Sequence, residues 1–261
     1  MELYDKKAAA LIERSYQTPE IINQRLLTLE SLALNGGESI LDAGCGTGLL
    51  LELEAKAVGP DGRAEGVDFS DDMLEVARAR CAPLKQVSLQ QGSVEKLEFA
   101  ENSFDALSCT QTLLYVNELE IALAEMHRVL KPGGRIAIVE TDWSGAILTS
   151  PDQVLTRKIF DAWDGSVSNP NLPKRLKPLL SSLGFGAIRV QAIPVLNASY
   201  SKASFSAGML DNFAATALKQ KIISPEESQL WLNDIADLAK RDAYLFCVNR
   251  FLFSAVKQGQ S

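Results

Sequence analysis

The chain opens with apolar positions at helical spacing, Ala8, Leu11 and Ile12 and then Ile21, Ile22, Leu26 and Leu29, interrupted at Thr18-Pro19. This pattern predicts two helices within residues 1–34. Short apolar runs then alternate with longer amphipathic ones. Strands are expected at Ile40–Ala43, Ala64–Val67, Val87–Leu89, Ala106–Cys109 and Arg135–Glu140, and helices at Leu49–Val58, Asp71–Arg80 and Ile121–Leu130. Gly59-Pro60-Asp61-Gly62 and Lys131-Pro132-Gly133-Gly134 punctuate them as turns. Such alternation implies a parallel sheet with right-handed crossovers and helices on both faces.

After Asp142 large rings become frequent: Trp143, Phe160, Trp163, Phe185, Phe205, Phe213 and Trp231. Two strands are expected here, Ala187–Val195 and Tyr244–Val256, on either side of helical stretches at Lys202–Lys219 and Pro225–Lys240. The strands are taken as a final antiparallel pair at the sheet edge, and the helices as an insertion between them. The fold class expected is therefore α/β: a doubly wound, mostly parallel sheet with an antiparallel last strand, helices on both faces and a helical lid. Residues 1–36 are expected to supply helices on the lid and acceptor side. Residues 37–261 form the main domain, with an acceptor cap at about 197–240. An inserted, ring-rich segment of that length is more often a functional cover than a structureless loop.

The stretch Leu41-Asp42-Ala43-Gly44-Cys45-Gly46-Thr47-Gly48 places three glycines at alternate positions directly after the first strand. Glycine there lets the chain take φ > 0 and lets a ligand touch the main chain. A dinucleotide fingerprint would need its third glycine one residue later, where Leu49 stands, so NAD is disfavoured. A P-loop is excluded, because no Gly-Lys-Ser/Thr follows. The spacing suits a nucleoside ligand without a pyrophosphate, whose amino-acid portion lies along the loop.

A composition of 46% hydrophobic and 23% charged residues is that of an ordinary globular protein. The formal net charge of -7 and the lack of a Lys/Arg run argue against nucleic acid as a partner. Cys45, Cys81, Cys109 and Cys247 show no CxxC spacing, so neither a zinc site nor a disulfide scaffold is expected, and no metal. With no signal peptide and no 18-residue apolar span, a cytoplasmic protein without integral membrane association is expected. A homodimer is left open.

Four segments in order, Ser39–Gly48, Gly66–Arg80 (GVDFSDDMLEVARAR), Gln91–Leu107 (QGSVEKLEFAENSFDAL) and Glu125–Glu140 (EMHRVLKPGGRIAIVE), resemble the class I S-adenosylmethionine-dependent methyltransferases, with their Rossmann-like sheet. The flavour is that of the small-molecule enzymes of ubiquinone and menaquinone biosynthesis. The resemblance covers about residues 20–142. It implies S-adenosyl-L-methionine as cofactor, held by the loop Gly44, Cys45, Gly46 and Gly48. Asp68, at the end of the second strand, would accept hydrogen bonds from the ribose hydroxyls. Phe69 and Met73 would flank the adenine, and Gly92, Ser93 and Val94 would hold its edge; the family usually has Asp where this chain has Ser93. Asp42 and the Thr110 main chain would face the methionine end. In-line methyl transfer needs alignment and exclusion of water rather than a compulsory catalytic residue. The candidates for a catalytic group are Tyr115 and Asp142, expected in loops beyond the fourth and fifth strands, while the single histidine, His127, sits in a structural segment. Tyr16 and Trp143 are expected on the acceptor side. A non-catalytic S-adenosylmethionine-binding or regulatory protein and a macromolecular methyltransferase are the alternatives. The latter is disfavoured because Thr110-Gln111-Thr112-Leu113 stands where an Asn-Pro-Pro-Tyr type motif would lie.

Overall fold

The computed structural model describes residue 13 and residues 15–259. The first predicted helix, with Ala8, Leu11 and Ile12, lies outside them. Helix α1 (Pro19–Leu32) begins on a proline, whose fixed φ suits the first helical turn. Then follow β1 (Ser39–Ala43), α2 (Leu49–Val58), β2 (Arg63–Asp68), α3 (Asp71–Cys81), β3 (Val87–Gln91), β4 (Phe104–Thr110), α4 (Leu119–Val129) and β5 (Leu130–Leu148). The second half comprises α5 (Gln153–Asp164), α6 (Pro173–Ser182), β6 (Phe185–Asn197), α7 (Phe205–Lys219), α8 (Pro225–Lys240) and β7 (Phe246–Lys257).

The strands form one sheet in the order β3-β2-β1-β4-β5-β7-β6. The first five are mutually parallel, and β7 runs antiparallel to both β5 and β6. The order reverses between β1 and β4, and a ligand crevice is expected beyond the carboxyl ends of strands at such a switch point. Alternation along β1 sends Ile40 and Asp42 to one face and Leu41 and Ala43 to the other. On the first face Ile40, Ala106, Ala137 and Val139 pack against Leu32 of α1 and Leu51, Ala55 and Val58 of α2. On the second, Leu41, Leu107, Ile136 and Ile138 pack against α4 and α6. A third cluster, rich in rings, joins α5, α7, α8 and the far ends of β5 and β7.

Three expectations need correction. Strand β5 does not end at Glu140 but runs on to Leu148, because β7 keeps pairing with it as far as Leu148↔Phe246. Asp142 and Trp143 therefore lie within a strand and not in a loop beyond it. Lys131–Gly134 are a bulge inside that strand: the register with β4 jumps from Phe104↔Leu130 to Ala106↔Arg135, and Gly133 takes φ +80°. Helices α5 and α6 fill a stretch with no predicted element. Their signals are present in the sequence: Asp152 caps α5 by accepting from the Leu155 N–H at 2.8 Å, and α6 starts on Pro173.

Candidate functional site

At the end of β1 the chain turns through Gly44, Gly46 and Gly48 at φ +82°, +52° and +78°. Gly44 has a steric reason as well as a conformational one. A Cβ there would lie 2.1 Å from Thr112 Oγ1, so the loop after β4 approaches the bare backbone. Gly48 packs close to α3, with Ala77 Cβ 3.1 Å from a built Cβ. Asp68, at the end of β2, ties the turn down: one carboxylate oxygen accepts from the Gly46 N–H at 2.8 Å and the other from the Ser70 N–H at 2.9 Å. Burial raises the Asp68 carboxyl above its ordinary value.

A cavity of about 60 Å³ opens against this loop. Asp42, Gly44, Cys45, Gly46 and Thr47 form one wall, and Thr110 and Gln111 another. The remaining wall comes from Tyr16 and from Ile21, Gln24 and Arg25 of α1. The N-terminal helix, expected on the acceptor side, thus faces the loop itself. Asp42 is 1% exposed and accepts from the Ser108 hydroxyl at 3.1 Å. Burial pushes its carboxyl up to about 7, and the nearby Asp68 charge acts in the same direction. Arg25 donates to the Tyr16 carbonyl at 2.6 Å and has no carboxylate within ion-pair distance among the described residues. Burial, then the neighbouring Arg80, lowers its proton affinity.

The other predicted residues divide in two. Phe69 is 53% exposed beside the loop, whereas Met73 is 2% exposed and its N–H is capped by Ser70, so it packs inward and presents little surface to a ligand. The Gly92 N–H donates to the Asp68 carbonyl at 3.0 Å. The Ser93 hydroxyl turns toward Glu95, accepting from its N–H at 3.1 Å, and Val94 is buried. None of these lines the cavity beside the glycine loop. Tyr115 sits in a 3-10 turn, Leu113–Tyr115, held by Glu140, whose Oε1 accepts from the Thr112 and Leu113 N–H groups at 3.1 and 2.8 Å. Asp142 accepts from the Ser144 hydroxyl at 2.7 Å and lies 3.6 Å from the Lys174 ammonium. Trp143 is buried in edge-to-face contact with Trp163 and Phe213, at centroid distances of 5.7 and 5.4 Å. The rings expected to line an acceptor pocket thus pack largely on one another. His127 meets Phe185 edge to face, away from the cavity.

Sequence reasoning missed Gln24, Arg25 and Gln111 in the cavity wall, because a lone polar residue on a helix carries no motif. It also missed Arg250 of β7. Arg250 is 1% exposed, bonded to Gln24 and stacked 5.0 Å from the Phe205 ring.

The strand order with its antiparallel β7, the glycine turn after β1 and the carboxylate closing β2 define the Rossmann-like class I methyltransferase fold. A family model described as a methyltransferase domain matches residues 41–138. The chain therefore carries a methyltransferase domain over those residues, on a Rossmann-like sheet. It is 32% identical over 233 residues to an uncharacterized 37.1 kDa protein in a transposon of Streptomyces fradiae, covering 89% of this chain and 65% of that one. It is 38% identical over 127 residues to demethylmenaquinone methyltransferase of Staphylococcus aureus, covering 49% of this chain and 52% of the relative. The chain thus spans between about half and two thirds of the length of these curated relatives. In fold it is similar to phosphoethanolamine N-methyltransferase 2 of Haemonchus contortus in complex with S-adenosyl-L-methionine, with a TM-score of 0.65 and 20% identity over 99% of this chain and 58% of that one. No helix among the described residues is long and apolar enough to cross a membrane.

Proposed function

We propose that the protein transfers the methyl group of S-adenosylmethionine to a small-molecule acceptor. The observation that carries this reading is one cavity lined by both a buried carboxylate, Asp42, and a guanidinium, Arg25, that has no carboxylate within ion-pair distance among the described residues. The two suit the ammonium and carboxylate of an amino-acid end, and charge-assisted bonds of that kind are roughly twice as strong as neutral ones. Asp68, already fixing the glycine turn, keeps lone pairs for the two ribose hydroxyls. Phe69 offers the adenine an exposed ring, and Gly92, Ser93 and Val94 border its edge. The Thr110 main chain closes the methionine end. A bound sulfonium supplies the methyl group for an in-line displacement in which positive charge is lost. The chain's part is then to align the partners and to keep water out.

Tyr16, Tyr115, Asp142 and Trp143 are assigned to the acceptor side, under a cap made by the insertion at about 197–240. The name of one relative, demethylmenaquinone methyltransferase, supports a small-molecule acceptor. Titration calorimetry of the purified protein tests the cofactor half, with S-adenosylhomocysteine expected to bind and NAD to give no heat. For the acceptor half, incubation with S-adenosylmethionine and small-metabolite pools should release S-adenosylhomocysteine with a product heavier by one CH2. Cofactor binding without release from any pool would favour the non-catalytic alternative. NAD binding in place of the sulfonium cofactor would remove the reading altogether.

A further inference from the structure

Beneath the glycine loop lies a carboxyl group that methyl transfer does not use. In α2 the residues turned to the sheet are Leu50, Leu51, Glu54, Ala55 and Val58, an amphipathic stripe with one acid in it. Glu54 is 0% exposed, and neither of its oxygens has a hydrogen-bond partner among the described residues. It faces the pair that β1 and β4 set side by side: Asp42 and Ser108 are register partners. The Ser108 hydroxyl gives its hydrogen to Asp42 and borders Glu54 as well. Asp42 also faces the Leu51 N–H in the first turn of α2, where the helix end favours an anion. No Lys, Arg or His forms an ion pair with either acid among the described residues.

Two carboxylates desolvated together without a cation cannot both stay ionised. The proton belongs on the acid with fewer donors. Asp42 is hydrogen-bonded by Ser108 and faces the Leu51 N–H, whereas Glu54 only borders the Ser108 hydroxyl, which is already given to Asp42. We infer that Asp42 and Glu54 hold one proton between them, resident on Glu54, so that the floor of the cavity carries a single negative charge matched to the single ammonium of the cofactor. Glu54 is a positioning residue, acting on the cofactor only through Asp42. Burial and the Asp42 charge both raise the Glu54 carboxyl far above its ordinary value. A second proton, on Asp42, is then lost to solvent as the ammonium docks from acidic solution.

The other groups around the pair are Asp68 from β2, Cys45 from the loop, Cys81 from α3 and Cys109 from β4. None is a cation: the Asp68 charge favours the proton's retention, while burial raises the three thiols and keeps them neutral. Arg25 of α1 lines the cavity, with Arg80, Glu13 and Glu52 as its charged neighbours.

The first test is infrared spectroscopy of the cofactor-free protein near pH 9, wild type minus Glu54→Gln, with circular dichroism to confirm that the variant folds. A carboxylic-acid C=O band is expected in wild type and absent from the variant; no such band overturns the inference. The second test rests on the cofactor reading above: calorimetry of S-adenosylhomocysteine binding from pH 5.5 to 8 in buffers of different ionisation enthalpy. Affinity should fall roughly tenfold per unit below pH 7, with about one proton released, and release should vanish by pH 8. Glu54→Gln should leave the midpoint where it is, since the amide is neutral like the acid. A midpoint moved downward means that Glu54 was ionised, and overturns the inference, as does a flat wild-type profile. Failure of the ligand to bind at all sinks the cofactor reading alone, because the infrared difference does not depend on it.

Discussion

The two halves of this molecule are built by different physics. From β1 to β4 the site rests on backbone in uncommon conformations and on buried acids: three glycines at positive φ, Asp42 at 1% exposure, Glu54 at 0% and Asp68 at 9%. Beyond Asp142 the same sheet is covered by apolar rings, with Trp143, Phe160 and Trp163 edge to face around Phe213. The first arrangement costs stability in exchange for a ligand that repays it. The second supplies stability and asks for little chemistry. Function and robustness are thus unevenly distributed, and substitutions in the two halves should fail in different observables.

The largest effect belongs to the cap. Phe213→Ala removes the ring at the centre of the cluster and should destabilise the protein by about 3–5 kcal/mol in denaturant unfolding. Cofactor affinity of the folded fraction should stay within roughly tenfold, about 1.4 kcal/mol. A loss of binding without a loss of stability would break the division between the halves.

Asp68→Ala should show the converse. It removes a carboxylate proposed to accept from both ribose hydroxyls, at about 1.5–3 kcal/mol for each charge-assisted bond. It also frees the Gly46 N–H. Cofactor binding should weaken by roughly two orders of magnitude or more, while the protein stays folded. An unchanged dissociation constant in calorimetry would reduce Asp68 to a brace for the glycine turn.

A third prediction uses Glu140, which is buried between the halves and holds the 3-10 turn after β4. Burial pushes its carboxyl up to about 8, against an ordinary value of 4.5. A group raised in the folded state contributes stability that is fully present below its unfolded value and is lost as pH rises toward the folded one. Between about pH 5 and 8 Glu140 should therefore cost about 1.4 kcal/mol of stability per pH unit. Glu140→Gln keeps an acceptor for the Thr112 and Leu113 N–H groups and should flatten the pH dependence of the unfolding free energy by that slope. An equal slope in both proteins would show that Glu140 is already ionised in the fold.

The same division governs what could be read from the sequence. Residues 39–48 and 63–68 were legible because a ligand touching main chain demands glycine, and strands buried on both faces demand apolar runs. Asp42 and Asp68 follow from their places at strand ends. Glu54 was hidden in plain view: its position in the stripe Leu50, Leu51, Ala55 and Val58 marks it as inward-facing, but a helix pattern counts apolar residues and passes over the acid between them. Arg25 owes its role to a cavity it shares with Gly44, and Arg250 to a hydrogen bond with Gln24, more than two hundred positions away in the chain. No local pattern reports such distances. Helix α5 is hard to read because its buried face, Leu155, Ile159, Phe160 and Trp163, is made partly of rings, which suit a binding surface as well as a core. The extension of β5 past Glu140 depends on its pairing with β7, a hundred residues later.

The smallest expected effect concerns the one motif position where this chain departs from the family it resembles. The resemblance implies an aspartate at the position of Ser93, proposed to meet the adenine amino group; the Ser93 hydroxyl is occupied by a local turn, accepting from the Glu95 N–H at 3.1 Å and lying 3.3 Å from the Glu95 carboxylate. An aspartate at 93 could accept from the same N–H, so the turn would survive. It would also place a second carboxylate beside Glu95, on an exposed surface where like-charge repulsion is modest and screened by salt. Ser93→Asp should accordingly tighten cofactor binding only slightly, by about 1 kcal/mol or roughly fivefold at most. Ser93→Asp with Glu95→Gln should recover more of that gain, and the difference between the two variants should shrink as salt is raised. The comparison ligand is S-adenosylhomocysteine against its analogue with a nebularine base, which lacks the amino group. Equal gains for both ligands would mean that residue 93 stiffens the loop and does not contact the base edge.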